Sequence, residues 1–246
     1  MEFAALRDEM VASLQHDTKA VVDAEPVGRA MRAVPRHAFV DEGHRSYMDQ
    51  AFEHRGTTVL SPSVAGRLLE ALDVAADDSV LVVGAGVGYT VAVLAEIVDP
   101  ERVHAVDITR RVVYDARRNL REAGYDAVLV DCRDGADGLP EYAPFDKILV
   151  EAAAVRPPRA LVQQLAPEGR LVMPIGTGDQ RLVAIEDGEE VADFGPVGFA
   201  PLLVDGEQSG AVERNRTQRE DAERAAQAAE RRRGWERDWI DWENRL

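Results

Sequence analysis

At 246 residues and a formal net charge of −16, the chain is long enough for one sizeable core and too acidic to favour nucleic acid, because phosphate binding needs a basic surface. Only Lys19 and Lys147 of the 29 basic residues are lysine. An acidic, lysine-poor surface is typical of proteins that work in the cytoplasm of a halophilic organism, and we predict this source, with an ordinary acidic protein as the alternative. Cys132 is the single cysteine, which excludes an intramolecular disulfide and a multi-cysteine zinc site, and we expect no metal ion.

The N-terminal segment predicts two short amphipathic helices between residues 3 and 33, where apolar residues recur at helical spacing. Its start, MEFAALRDEM, has no charged-then-apolar signal pattern. Glycines interrupt the longest apolar run before it reaches the ~18 residues of a membrane helix. We therefore expect a soluble, cytoplasmic protein whose residues 1–63 form an N-terminal helical cap and a substrate loop.

Helix and strand patterns alternate from residue 64 onward. This alternation predicts an α/β fold over residues 64–205, with a mostly parallel sheet that helices cover on both faces. The predicted helices cover 64–72, 90–98, 110–123 and 158–165. The predicted strands cover 79–83, 103–108, 127–130, 147–150 and 170–174, followed by a hairpin of 182–185 and 190–194.

The composition changes at about residue 205, where a charge-rich segment with alanines begins. Trp235, Trp239 and Trp242 are spaced by four and then three residues, which puts the rings on one face of a helix. We predict a charged C-terminal helical extension over 206–246 that docks on the core or on a second subunit, because three exposed tryptophans would be an apolar liability. A solvated tail and a lid over the cleft are the alternatives.

The stretch VLVVGAGVGYTVAVLAEIV, residues 80–98, predicts a buried strand, a glycine loop and a helix. A dinucleotide site uses GxGxxG, whose third glycine lets the helix pack closely, and here Tyr89 has that position. The stretch also lacks GxxxxGKS or GxxxxGKT, the loop of nucleoside triphosphate sites. Gly84, Gly86 and Gly88 instead suit S-adenosylmethionine, a cofactor without phosphates whose methionine part lies over the glycine turn.

Two acids follow the next two predicted strands, at the sheet edge where α/β folds bind ligands. Asp107, which Ile108 follows in VHAVDI, is expected to accept both ribose hydroxyls of the cofactor. Asp134, which Gly135 follows in CRDG, is expected to accept from the adenine amino group. Either acid could instead cap the following helix, but the order and spacing of the signals favour a cofactor site.

Longer segments of the chain form a recognisable set. They are AMRAVPRHAFV (30–40), SYMDQA (46–51), the glycine loop, VHAVDI, DGADGLPEYAPFDKILVEAAA (134–154), LVQQLAPEGRLVMPIG (161–176) and VGFAPL (197–202). Together they resemble the protein-L-isoaspartate O-methyltransferases, a family with the class I, Rossmann-like methyltransferase fold. The resemblance covers about residues 5–204, and the run from DG through PEYAPFD to EGRLVMPIG is specific to this family.

The resemblance implies an enzyme of protein repair. S-adenosylmethionine would donate a methyl group to the carboxylate of an L-isoaspartyl residue in a damaged protein or peptide. Succinimide closure of the ester and its hydrolysis would then partly restore aspartate. Such a reaction depends on positioning the two reactants and on excluding water, because a carboxylate is already a nucleophile at neutral pH.

The chain departs from the family pattern on both sides of this site. Family members usually carry an acid at the position of Val82, where it would help to hold the methionine end of the cofactor. In GTTVLSPSVAG (56–66), alignment through Pro62 puts Leu60 at the position of the active-site serine of the family. Alignment from the preceding segment puts Ser61 there, so Ser61 is the candidate catalytic residue, with an N-cap as its alternative role.

Three further residues are candidates for the site. His54 and Arg55, in a loop that differs from the family pattern, could contact an acidic substrate or be solvated. Glu151 follows a buried strand and must find a partner, which could be a substrate amide or the ammonium group of the cofactor. These departures leave two alternatives: a methyltransferase for another acceptor, and a degenerate protein that binds cofactor or partners without isoaspartyl activity.

Overall fold

The computed structural model describes residues 2–203, so the predicted tryptophan helix and its predicted start at residue 206 lie outside the described residues. The α-helices within that range are α1 (Glu2–Gln15), α2 (Glu25–Ala33), α3 (Pro62–Leu72), α4 (Tyr89–Ala95), α5 (Arg110–Glu122) and α6 (Arg159–Gln163). The strands are β1 (Phe52–His54), β2 (Thr57–Val59), β3 (Val80–Val83), β4 (Val103–Asp107), β5 (Leu129–Cys132), β6 (Phe145–Val150), β7 (Leu165–Ile175), β8 (Gln180–Glu186) and β9 (Glu189–Val197).

Seven of these strands form one sheet in the order β5-β4-β3-β6-β7-β8-β9. Strands β5, β4, β3, β6 and β7 are parallel, while β8 and β9 continue the sheet as antiparallel strands. β3 lies between β4 and β6, and all four of its residues are buried, which explains its unbroken apolar sequence. The predicted α/β fold with a mostly parallel sheet is confirmed.

Apolar side chains pack on both faces of the sheet. On one face, Leu14 of α1 and Met31 of α2 share a core with Leu68 of α3 and Leu94 of α4. The N-terminal helices therefore pack into the same core as the helices that connect the strands. Among residues 2–203, no helix has the length and apolar character that a membrane span requires.

A short antiparallel hairpin formed by β1 and β2 was not anticipated in the predicted substrate loop. Its two-residue turn uses Arg55 and Gly56, both with positive φ (51° and 80°), as a type I′ turn requires. Strands of three residues are too short to give an alternating pattern in the sequence, and Arg-Gly is a weaker turn signal than Asn-Gly. Strand β7 also begins earlier than predicted, because Phe145 pairs with Leu165 across an irregularity in the ladder.

Candidate active site

The candidate site lies at the carboxyl edge of the parallel strands, where β3, β4 and β6 end side by side. A cavity of about 160 Å³ opens there. Its lining combines the glycine loop, the ends of β4 and β6, the hairpin, and the segment after β9. These residues are Gly56, Thr57, Thr58, Leu60, Val83, Gly84, Gly86, Val106, Asp107, Ile108, Thr109, Gly135, Glu151, Ala152 and Gly198 to Leu203.

The predicted glycines adopt backbone conformations that other residues avoid. Gly84, Gly86 and Gly88 have φ angles of +93°, +52° and +92°. The loop is tied to β4, because the amides of Gly84 and Ala85 donate to the carbonyl of Val106 at 2.8 and 3.0 Å. Gly84 and Gly86 line the cavity, while Gly88 is the N-cap of α4. The loop thus turns tightly over the sheet edge and leaves its backbone open to a ligand.

Asp107 is the last residue of β4, and its carboxylate faces the glycine loop. One oxygen accepts from the amide of Gly86 at 3.2 Å, and the other accepts from the amide of Thr109 at 2.8 Å. Burial raises the pKa of Asp107, and these two hydrogen bonds oppose that rise. The next residue, Ile108, also lines the cavity. The carboxylate is therefore held in one orientation before any ligand binds.

The CRDG segment reaches the same cavity through Gly135. A side-chain carbon on Gly135 would lie only 2.4 Å from Cγ1 of Val83, so this position has no room for any other residue. Asp134, directly before it, accepts a hydrogen bond from the amide of Ala136 at 2.8 Å. This is a local hydrogen bond of the type by which an Asp side chain caps the following turn. The contact of Asp134 with adenine remains a prediction.

Glu151 directly follows β6 and lies opposite Gly84. Its amide donates to the carbonyl of Val83 at 2.8 Å, which extends the ladder between β3 and β6 by one residue. Burial raises the pKa of Glu151 to about 7, a hydrogen bond with Thr90 opposes that rise, and the negative charge of Asp107 adds to it. Its Oε1 atom is buried without a hydrogen-bond partner among the described residues. The cavity thus contains an incompletely paired buried carboxyl group.

The hairpin of β1 and β2 forms the other side of the cavity through Gly56, Thr57 and Thr58. It is fastened to α5 by Asp115, which is almost fully buried. Asp115 accepts from His54 at 3.0 Å and from Arg55 at 2.5 Å. Although burial opposes ionisation, these bonds and the nearby Arg118 hold the pKa of Asp115 below its ordinary value. His54 and Arg55, which were candidates for substrate contact, therefore pair with α5.

Ser61 is the N-cap of α3. Its hydroxyl accepts from the amide of Val64 at 3.4 Å and lies 3.1 Å from the hydroxyl of Ser63. The preceding residue, Leu60, lines the cavity. The contacts of Ser61 are therefore those of a helix N-cap, the alternative role given above. Its catalytic role remains a prediction.

Two parts of the cavity were missed by sequence reasoning. Thr57 and Thr58 lie on the unanticipated hairpin, so no pattern drew attention to them. The segment 198–203 follows β9. The amide of Ala153 donates to the carbonyl of Ala200 at 2.8 Å, and the side-chain amide of Gln180 bonds both the carbonyl and the amide of Phe199. The VGFAPL sequence was the available signal for this wall, because it is one of the segments that resemble the family.

Arg36 of the VPRHAFV segment joins the hairpin to the N-terminal region. The side chain is fully buried, and its guanidinium donates to the carbonyls of Ser46 at 2.7 Å and Leu60 at 2.5 Å. The same group stacks over the ring of Tyr89, 4.6 Å from its centroid. Arg36 thereby fixes the backbone of Leu60 at the edge of the cavity.

Comparison with known proteins gives one consistent result. A family model described as protein-L-isoaspartate(D-aspartate) O-methyltransferase matches residues 6–207. A protein-L-isoaspartate O-methyltransferase of Aeropyrum pernix is 44% identical over 187 residues, which are 73% of this chain and 70% of the relative. One of Methanothermobacter thermautotrophicus is 38% identical over 208 residues, covering 80% of this chain and 94% of the relative.

Solved structures agree with the sequence comparison. A protein-L-isoaspartate O-methyltransferase with 25% identity superposes with a TM-score of 0.70 over 79% of this chain and 65% of the other. A putative enzyme of the same name from Plasmodium falciparum, solved with S-adenosyl-L-homocysteine, has a TM-score of 0.69 at 20% identity and covers 80% of this chain and 98% of its own. The predicted resemblance is confirmed: the chain belongs to the protein-L-isoaspartate O-methyltransferase family.

Proposed function

We propose that the protein transfers a methyl group from S-adenosylmethionine to the carboxylate of L-isoaspartyl residues in damaged proteins. The observation that carries this proposal is that the glycine loop, Asp107 and the hairpin line one cavity in a chain of this family. Proteins and peptides that contain isoaspartate are the corresponding substrates.

The cavity suits this cofactor on chemical grounds. Its carboxyl groups, Asp107 and Glu151, are partly buried and line the same cavity, which favours a cationic ligand and disfavours a pyrophosphate. S-adenosylmethionine has no phosphate, and when bound it supplies an electrophilic methyl group on a positively charged sulfur. Gly84 and Gly86 would allow its close approach to the backbone. Asp107 with Ile108 would bind the ribose, and Asp134 with Gly135 the adenine.

The acceptor enters from the side of the hairpin in this proposal. Thr57 and Thr58 offer hydroxyl groups at the cavity, and Leu60 offers an apolar wall. An isoaspartyl carboxylate is ionised and nucleophilic at neutral pH, so the protein has to align it with the methyl group and exclude water. We propose Thr58 as the residue that contacts this carboxylate. Ser61 remains the second candidate for this role.

The test is transfer of labelled methyl from S-adenosylmethionine to an isoaspartyl peptide and to the same peptide with ordinary aspartate, at low and at high salt. We expect base-labile label on the isoaspartyl peptide alone, because carboxyl methyl esters hydrolyse in base. Label on neither peptide, from a protein that binds the cofactor, would contradict the proposed acceptor.

A different acceptor is the second candidate function. It is favoured by Leu60, which lines the cavity at the position that alignment assigns to the serine of the family. In this case the protein would bind the cofactor normally and leave both peptides unlabelled. The labelling experiment therefore separates the two candidates.

A further inference from the structure

The carboxyl group of Glu151 is placed where the glycine loop turns over the sheet edge. A side-chain carbon on Gly84 would lie 3.4 Å from Cβ of Glu151, so the two residues are close neighbours. Glu151 lines the main cavity, and it also lines a smaller one beside it with Thr58, Thr90 and Gly86. The group therefore faces both the cofactor side and the acceptor side.

Glu151 lacks a positive partner within the described part of the chain. Thr90 lowers the pKa of Glu151, the like charge of Asp107 raises it, and Oε1 has no hydrogen-bond partner among the described residues. Arg36 lines the smaller cavity but forms no ion pair with Glu151. Its Nε and Nη2 atoms donate to the backbone of Ser46 and Leu60, and its Nη1 atom has no hydrogen-bond partner among the described residues. An ionised carboxyl group in this environment is costly without a cation, so a cationic ligand would stabilise the ionised form of Glu151.

Val82 cannot supply the acid that family members usually carry at its position. Its side chain is fully buried in the apolar core. Val82 pairs with Leu149 across the β3–β6 ladder, and Glu151 lies two residues further along the same neighbouring strand. A carboxyl group is thus present at the edge of the sheet, directly after β6 rather than on β3.

We propose that Glu151 binds the α-ammonium group of S-adenosylmethionine and replaces the acid that is missing at Val82. This inference rests on the proposed function, because it assumes that the cavity binds this cofactor. The methionine part lies over the glycine turn, and Glu151 lies beside that turn at Gly84, whereas Asp107 is tied to Gly86 and Thr109 at the ribose end.

Calorimetric titration with two neutral-sulfur ligands tests the proposal. S-adenosylhomocysteine has the α-ammonium group, and 5′-methylthioadenosine lacks the whole amino-acid end. We expect Glu151→Gln to weaken binding of S-adenosylhomocysteine at least about tenfold, because a charge-assisted hydrogen bond is lost. Binding of 5′-methylthioadenosine should change less than about twofold.

Two further variants make the result specific. Glu189→Gln makes the same chemical change on the exposed surface of β9 and should leave both affinities unchanged. Glu151→Asp keeps the charge on a shorter side chain and should retain part of the affinity for S-adenosylhomocysteine. The thermal unfolding midpoint of Glu151→Gln should not fall, because the variant removes a buried, incompletely paired acid.

Proton linkage gives an independent measurement. Because the pKa of Glu151 in the free protein is about 7, the group must lose its proton to bind a cation, so affinity should rise about tenfold from pH 6 to pH 8. The other groups facing it are Asp107 from β4, Tyr89 and Thr90 from α4, and Arg36. Glu151→Gln retains all four and should lose the dependence.

Equal affinities of wild type and Glu151→Gln for S-adenosylhomocysteine would overturn the inference and leave the proposed function intact. An equal loss for both ligands would also overturn it, because Glu151 would then act on the adenosine end or on the fold. A wild-type protein that binds neither ligand would overturn the proposed function, and the inference with it.

Discussion

The two sides of the cavity are built in different ways. On the proposed cofactor side, the glycine loop, Asp107 and Glu151 lie at the ends of buried parallel strands, and hydrogen bonds from backbone amides fix them. On the proposed acceptor side, a two-stranded hairpin lies against α5 through the side chains that meet at Asp115. The first side is part of the core, and the second is attached to it.

This difference indicates how changes on each side should act. A substitution at Asp107 or at the tightly packed Gly135 disturbs groups that the sheet holds in place, so it should affect cofactor binding and stability together; Glu151→Gln, which removes an incompletely paired acid, is the exception. A substitution in the hairpin or at its attachment should affect acceptor binding and leave cofactor binding unchanged. The following variants test this separation, from the largest expected effect to the smallest.

Asp107→Ala should weaken cofactor binding by up to about 100-fold, because it removes a charged acceptor and also frees the amides of Gly86 and Thr109. The measurement is the Kd of S-adenosylhomocysteine. Asp107→Asn keeps one acceptor oxygen and should lose less. An unchanged Kd in the alanine variant would remove Asp107 from the site.

Gly135→Ala should lower the free energy of unfolding by about 2 kcal/mol, because the added carbon would meet Val83 at 2.4 Å in a buried strand. Cofactor affinity should fall with it, since both residues line the cavity. Denaturant unfolding measures the first effect. Gly178→Ala is the matched control, because no atom lies within 4 Å of its added carbon; equal stability of the two variants would contradict the close packing.

Asp115→Asn should raise KM for the isoaspartyl peptide several-fold and leave the Kd of the cofactor unchanged, because it weakens the attachment of the hairpin. The expected loss of stability is about 1 kcal/mol. In the wild type the pKa of Asp115 is below its ordinary value of 3.8, so this attachment is complete above that pH and is lost as pH falls through the lowered pKa. Asp126→Asn, on the exposed surface, is the control. A loss of cofactor binding in Asp115→Asn would show that the two sides are not separate.

Ser61→Ala should cost about 1 kcal/mol of stability through the lost helix cap. Thr58→Val should leave stability unchanged and raise KM for the peptide, since Thr58 lines the cavity. Steady-state kinetics and thermal unfolding of both variants decide whether Thr58 or Ser61 acts on the acceptor. A large loss of kcat in Ser61→Ala, without loss of stability, would support the catalytic role predicted for Ser61.

The strand, glycine loop and helix on the proposed cofactor side could be predicted from sequence because their determinants are local. A buried strand, three glycines and a helix follow one another in the chain, and Asp107 ends the next apolar strand. The family predicted from longer segments is confirmed, and with it the class of enzyme.

The acceptor side could not be predicted in the same way because its determinants are distant in sequence. Asp115 meets a hairpin about 60 residues earlier in the chain, and nothing near Asp115 indicates this contact. On the proposed cofactor side, Gly135 was predicted from the CRDG segment, but its close packing against Val83 of β3 could not be foreseen. The hairpin itself depends on two strands of three residues, below the length at which periodicity is informative.

The wall formed by residues 198–203 sets a limit for shortening the protein. A chain that ends at Leu203 keeps the pairing of Phe199 with Gln180 and the two hydrogen bonds that link Ala153 to Ala200 and Leu202. A chain that ends at Val197 retains every strand of the sheet but loses one side of the cavity. Such a protein would keep its fold and lose its ligand, so fold-based assays alone would not detect the damage.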